Sequence, residues 1–93
     1  MPVNVLIPTP LRKFTENQDT IAVAPGSIGS VITELTQRFP VIVKPMLDDK
    51  GELRKFVNIY LNGEDIRFAE GSATAVKDGD EISIVPAIAG GAR

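Results

Sequence analysis

The sequence predicts an α+β domain in which a mixed sheet of about five strands packs on one main helix. Three observations carry that expectation. Ile28, Val31, Ile32, Leu35 and Phe39 recur at helical spacing and form one apolar stripe. Segments before and after this stripe alternate apolar and polar residues, the period of a half-buried strand. The whole chain has 93 residues, enough for one core and one domain.

Taken in order, Val3-Asn4-Val5-Leu6-Ile7 places Val3, Val5 and Ile7 on one face of a first strand. Leu6 indicates that the second face is partly covered as well. Pro8 and Pro10 end this strand, and the mixed residues 11–18 read as a loop. Ile21 and Val23 alternate in a second strand over 19–24, close enough to the first for antiparallel pairing. Pro25-Gly26 turns the chain and Ser27 caps the helix, with Ser30 as the rival cap. Pro40 stops the helix because it cannot continue the hydrogen-bond ladder. Residues 41–47 are apolar but irregular, and Asp48-Asp49-Lys50-Gly51 is a polar turn. Phe56-Val57-Asn58-Ile59-Tyr60-Leu61 is the strongest strand signal in the chain. Asn62-Gly63 then marks a two-residue hairpin, returning through a short strand over 64–68. Residues 73–76 are too short to assign. The last strand is Glu81-Ile82-Ser83-Ile84-Val85, closed by Pro86 and expected to lie parallel to the first at the sheet centre.

Composition removes much chemistry. With 43% hydrophobic and 24% charged residues the chain fits an ordinary globular domain. There is no Cys and no His, so disulfides, thiolate or imidazole metal sites, Cys nucleophiles and His general bases are all excluded. A net charge of −2 gives no global attraction to nucleic acid. The N-terminal stretch lacks the pattern of a signal peptide, and no apolar run reaches the ~18 residues of a membrane span. The expected location is the cytoplasm. Asp48, Asp49 and Glu52 lack the spaced ligands of a calcium loop and read as a solvated turn. Gly26-Ser27-Ile28-Gly29 lacks the lysine of a phosphate loop and reads as a cap.

The C-terminal stretch Ala87-Ile88-Ala89-Gly90-Gly91-Ala92-Arg93 stands apart. The expected organisation is a folded unit over 1–86 and a flexible tail over 87–93. A carboxylate that another enzyme activates must enter that enzyme as an extended thread. Gly90 and Gly91 have no Cβ, so channel walls can close on the backbone. Ala87, Ile88 and Ala89 are uncharged and suit a narrow passage.

This element order with its Gly90-Gly91 end resembles the ubiquitin-like β-grasp sulfur carriers of the ThiS/MoaD type. The stretches Arg54-Lys55-Phe56-Val57-Asn58-Ile59-Tyr60-Leu61-Asn62, Glu64-Asp65-Ile66-Arg67-Phe68 and Val85-Pro86-Ala87-Ile88-Ala89-Gly90-Gly91 carry the likeness, with Val5-Leu6-Ile7-Pro8-Thr9 and Leu11-Arg12 fitting as well. They are most similar to the branch that serves an actinobacterial cysteine pathway. The resemblance implies a carrier that is not itself an enzyme and binds no cofactor. An adenylyltransferase of the ubiquitin-activating type, using ATP, would adenylate Gly91. A sulfur donor would convert it to a thiocarboxylate, and a pyridoxal-phosphate cysteine synthase would accept the sulfur. Gly90, Ala89 and Ile88 would give access. Because Ala92-Arg93 follow Gly91, the resemblance also implies clipping between Gly91 and Ala92 by a JAMM-type metalloprotease. Tyr60, Arg67 and Phe68 are the expected partner surface, with Phe68 equally compatible with the core. The alternatives are delivery to molybdopterin, thiamin or another sulfur metabolite, a ubiquitin-like protein modifier, or a plain interaction domain.

Overall fold

The computed structural model describes residues 2–55 and 57–86. Strand β1 (Val3–Leu6) and strand β2 (Thr20–Val23) pair antiparallel, with Val5 opposite Ile21. The two-residue strand β3 (Gly26–Ser27) leads into helix α1 (Ile28–Arg38). A short helix α2 (Val43–Met46) follows, then strand β4 (Val57–Leu61), strand β5 (Glu64–Asp65), strand β6 (Ala75–Val76) and strand β7 (Glu81–Pro86). The main sheet has five strands in the order β2-β1-β7-β4-β5, and β3 pairs with β6 in a separate ribbon. β7 lies at the centre, parallel to β1 and antiparallel to β4. The parallel pairing of first and last strands is therefore as the sequence predicts.

The alternation of each strand decides its faces. Val3, Val5, Ile21, Val23, Val57, Ile59, Ile82 and Ile84 are all buried. They meet Ile28, Val31, Leu35 and Phe39 from the helix stripe, with Ile32 packed at its margin. The helix begins where Ser27 Oγ accepts the Ser30 backbone N–H (3.2 Å) and Ser30 Oγ accepts the Ser27 N–H (2.9 Å). The two serines therefore form a reciprocal capping box rather than competing for one role. Asn62 (φ 52°) and Gly63 (φ 89°) both take positive φ, the geometry that lets a two-residue turn match the twist of β4 and β5.

Four expectations are corrected. The loop over 11–18 begins inside a 3₁₀ helix over Thr9–Phe14, because Pro10 sits in its first turn where no donor is needed. Residues 41–47 are not irregular: a 3₁₀ turn over Pro40–Ile42 runs into α2, burying Ile42 and Met46. The short strand over 64–68 stops after two residues. Asp65 Oδ1 accepts the Arg67 N–H (2.9 Å) and starts a 3₁₀ turn over Ile66–Phe68. The 73–76 segment does form a strand, β6, but its partner is β3 and not the main sheet. Phe56, assigned to the strong strand, lies outside the described residues. Among the described residues no helix is long and apolar enough to cross a membrane.

Candidate functional site at the end of the central strand

The central strand β7 ends at Pro86, opposite Val57 at the start of β4. The predicted sulfur-carrying residue Gly91, its approach Gly90, Ala89 and Ile88, and the clipping partner Ala92 all lie outside the described residues. What the structure places is the ground from which that segment departs. Because β7 is flanked by β1 and β4, the chain leaves from the middle of the sheet and not from its edge.

The outward face of the sheet beside this point is built by register. Leu6, Ser83 and Tyr60 lie opposite one another across β1, β7 and β4. Tyr60 is half-buried there and faces Asp65 on β5. One step nearer the strand end, Val85 lies opposite Asn58 and is exposed.

Asp65 and Arg67 form the best-defined polar feature of this region. Asp65 is buried, with 7% of its side chain accessible, yet Arg67 is 63% accessible. Arg67 Nη2 donates to Asp65 Oδ2 (2.8 Å), and Arg67 Nε lies 3.2 Å from Oδ1. Side-chain and then backbone hydrogen bonds from Arg67 hold the Asp65 carboxyl below the usual carboxylate range. The side-chain bond and the charge of Asp65 push the Arg67 guanidinium further up. The pair fixes the 3₁₀ turn that projects Phe68 into solvent, where it is 83% exposed. Phe68 is therefore a surface residue and not part of the core. The structure thus brings Tyr60, Asp65 and Arg67 together and presents Phe68 at the end of the same turn.

The stretch Asp48, Asp49 and Glu52 is a turn, as the sequence predicts. Asp48 Oδ1 accepts the N–H groups of Lys50 (2.9 Å) and Glu52 (3.0 Å), so it shapes its turn. No group of three acidic residues among the described residues is arranged to hold a metal ion. Residues that sequence reasoning missed are Val41 and Val43, which stand exposed on the turn after α1. Their apolar character was visible in the sequence, but their orientation follows from Ile42 and Met46 pointing inward on the same short helical turns.

Comparison with known proteins agrees with this geometry. The family model described as the ThiS family matches residues 5–91. The sulfur carrier protein CysO of Mycobacterium tuberculosis is 44% identical over 93 residues, covering 98% of this chain and all of that protein. A crystal structure of the Amycolatopsis orientalis BexX/CysO complex contains a chain with TM-score 0.85 and 34% identity, covering 94% of this chain and 97% of that one. The crystal structure of Mycobacterium tuberculosis CysO superposes with TM-score 0.83 at 42% identity, covering 92% of this chain and 99% of that one. Sequence, sheet order and helix placement converge, and the chain belongs to the ThiS family, with its ubiquitin-like β-grasp fold.

Proposed function

We propose that this protein is a sulfur carrier that works through the carboxyl group of Gly91. The observation that carries the reading is the full-length likeness to a protein named as a sulfur carrier, together with a family match that extends to Gly91. As the sequence stands, the Gly91 carboxyl carbon is bonded to Ala92. Hydrolysis of that peptide bond, by a JAMM-type metalloprotease, frees the carboxylate. An adenylyltransferase then joins the carboxylate to the AMP portion of ATP and releases pyrophosphate. Sulfide, or the terminal sulfur of an enzyme persulfide with reducing equivalents from a thiol, displaces AMP and leaves a thiocarboxylate. In the favoured route the sulfur passes to an aminoacrylate held on a pyridoxal-phosphate cysteine synthase.

No acid or base side chain of this chain takes part in those steps; its reacting group is the Gly91 carboxylate, which attacks the α-phosphorus of ATP as pyrophosphate leaves. Its part is to present the reacting carboxyl at the end of a thread rooted in the sheet centre. Tyr60, Arg67, Phe68 and Val85 form the folded surface next to that root, and a specific contact needs ~800 Å² per partner, more than a short tail offers. The solved BexX/CysO complex is a relative held by another protein, which supports a docking role for the folded part.

The test compares the form ending at Gly91 with the chain ending at Arg93, each incubated with its adenylyltransferase and ATP. Pyrophosphate exchange is expected only for the shorter form. After sulfide is added, its intact mass should rise by the replacement of one oxygen by one sulfur. Equal exchange by both forms would overturn the clipping step, and exchange with no sulfur gain would overturn the carrier reading.

A further inference from the structure

The charges of this domain are sorted along β7. At its start, Asp80 and Glu81 are tied to Asn62 of the hairpin turn, Glu64 follows that turn, and the Lys77 N–H donates to Asp80 Oδ2. Asn62 Nδ2 donates to Asp80 Oδ1 (3.1 Å), and the Glu81 N–H donates to Asn62 Oδ1 (2.9 Å), so this acidic corner is fixed. At the other end, where β7 finishes beside Val57, cations predominate, with Arg67 paired to Asp65. A groove there has Val57, Ile59 and Ile66 as its floor and Arg54, Lys55 and Arg67 around it. No acidic residue among those described lines it.

The groove continues into a second surface. Arg54 Nε donates to the Lys44 carbonyl oxygen (2.8 Å). Lys44 in turn borders an apolar hollow formed by Phe14, Pro40, Val41, Val43 and Pro45. Val41 is 62% and Val43 38% exposed. Lys13 lies over the Phe14 ring at 5.2 Å and adds a further cation to the rim. Among the described residues the ion pairs are Arg38–Glu34 and Arg67–Asp65, so Lys13, Lys44, Arg54 and Lys55 have no carboxylate partner.

We infer that this band, from Lys13 to Arg67, is a binding face for a partner segment that alternates acidic and apolar residues. The argument is charge complementarity set against the protein's own sign. The chain carries −2 overall, yet four cations without a carboxylate partner, Lys13, Lys44, Arg54 and Lys55, gather here beside the Asp65-paired Arg67. Isolated surface cations need no explanation, but here they alternate with exposed valines that water solvates poorly. An acidic segment satisfies the cations, and its apolar residues cover Val41 and Val43. The face lies at the end where the chain leaves β7, so such a segment on a partner would also orient the thread. The inference does not depend on sulfur chemistry at Gly91.

The experiment uses the full chain, isotopically labelled, titrated in 150 mM salt with two capped seven-residue probes, one alternating Glu and Val and one alternating Lys and Val. The acidic probe should saturably shift the amide signals of Lys44, Arg54, Lys55 and Arg67, and the lysine probe should not. Arg54→Glu combined with Lys55→Glu should weaken the acidic probe about tenfold or more, from the reversal of two charge pairs. Lys77→Glu, at the opposite end, should leave it unchanged. Retained amide dispersion in both variants keeps the comparison independent of folding. Lack of saturation at millimolar probe, or an equal loss in Lys77→Glu, would overturn the inference and leave the cations as solvated surface.

Discussion

Replacing Phe68 with alanine separates docking from folding. The ring is 83% exposed at the end of the turn held by Asp65 and Arg67. A phenylalanine contributes ~150–250 Å², so about 170 Å² of it is open to a partner. At ~25 cal/mol per Å², full coverage would be worth about 4 kcal/mol. Ordering the side chain costs ~0.5–1.5 kcal/mol, which leaves about 3 kcal/mol, or roughly a hundredfold in affinity. The folded domain by itself loses little, because an exposed substitution changes stability by less than ~0.5 kcal/mol. For a domain of this size that is a shift in Tm of under about 4 °C. The assay is calorimetric titration of the Gly91-terminated form against the proposed adenylyltransferase, with a thermal melt of the same samples. A loss below about threefold with an unchanged melt would remove Phe68 from the interface. A Tm fall beyond about 10 °C would refute the reading of Phe68 as a surface residue.

The other expectations follow from the same geometry. In the form ending at residue 91, Gly91→Ala should leave Tm within error and sharply lower pyrophosphate exchange, with Gly90→Val more severe because a β-branched side chain is wider and stiffer; full exchange by Gly90→Val would end the threading argument. Ser27→Ala removes one half of the capping box and should cost ~1 kcal/mol, about 4–8 °C in Tm, read by thermal melting. Gly26→Ala should be worse than Ser27→Ala, since its φ is +155° and a new Cβ would lie 2.6 Å from Ser30 Oγ; an equal or higher Tm than Ser27→Ala would contradict the crowding. Asp65 has a lowered folded pKa, so its contribution to stability is present above the unfolded value near ~3.9 and is lost as pH falls through the folded value. The Tm gap between the native chain and Asp65→Asn should therefore be full well above about pH 4 and close progressively below it; a gap undiminished at about pH 2 would show that the carboxylate charge is not what holds the turn.

What the sequence by itself determined are the features encoded by neighbours along the chain. The helix stripe from Ile28 to Phe39, the alternation of β1, β4 and β7, and the Asn62-Gly63 turn depend on periodicity or on φ preferences of single residues. The role proposed for the Gly90-Gly91 end is equally local, since it rests on the side chains that glycine lacks. Tertiary structure decided everything that depends on which residues meet across the fold. Two-residue strands such as β3 and β6 have no period to read, and exist because Gly26-Ser27 happens to pass Ala75-Val76. The return from the hairpin looked like a strand until the Asp65 side chain took the Arg67 N–H and bent it into a turn. That bend put Phe68 outside, a placement that its composition could not fix. The sorting of charge along β7 arises the same way: Lys13, Lys44, Arg54 and Arg67 are scattered through the sequence. They share one end of the molecule because β1 and β7 run parallel and α1 returns the chain beside them, so direction of pairing, not proximity in sequence, sets the electrostatics of the face.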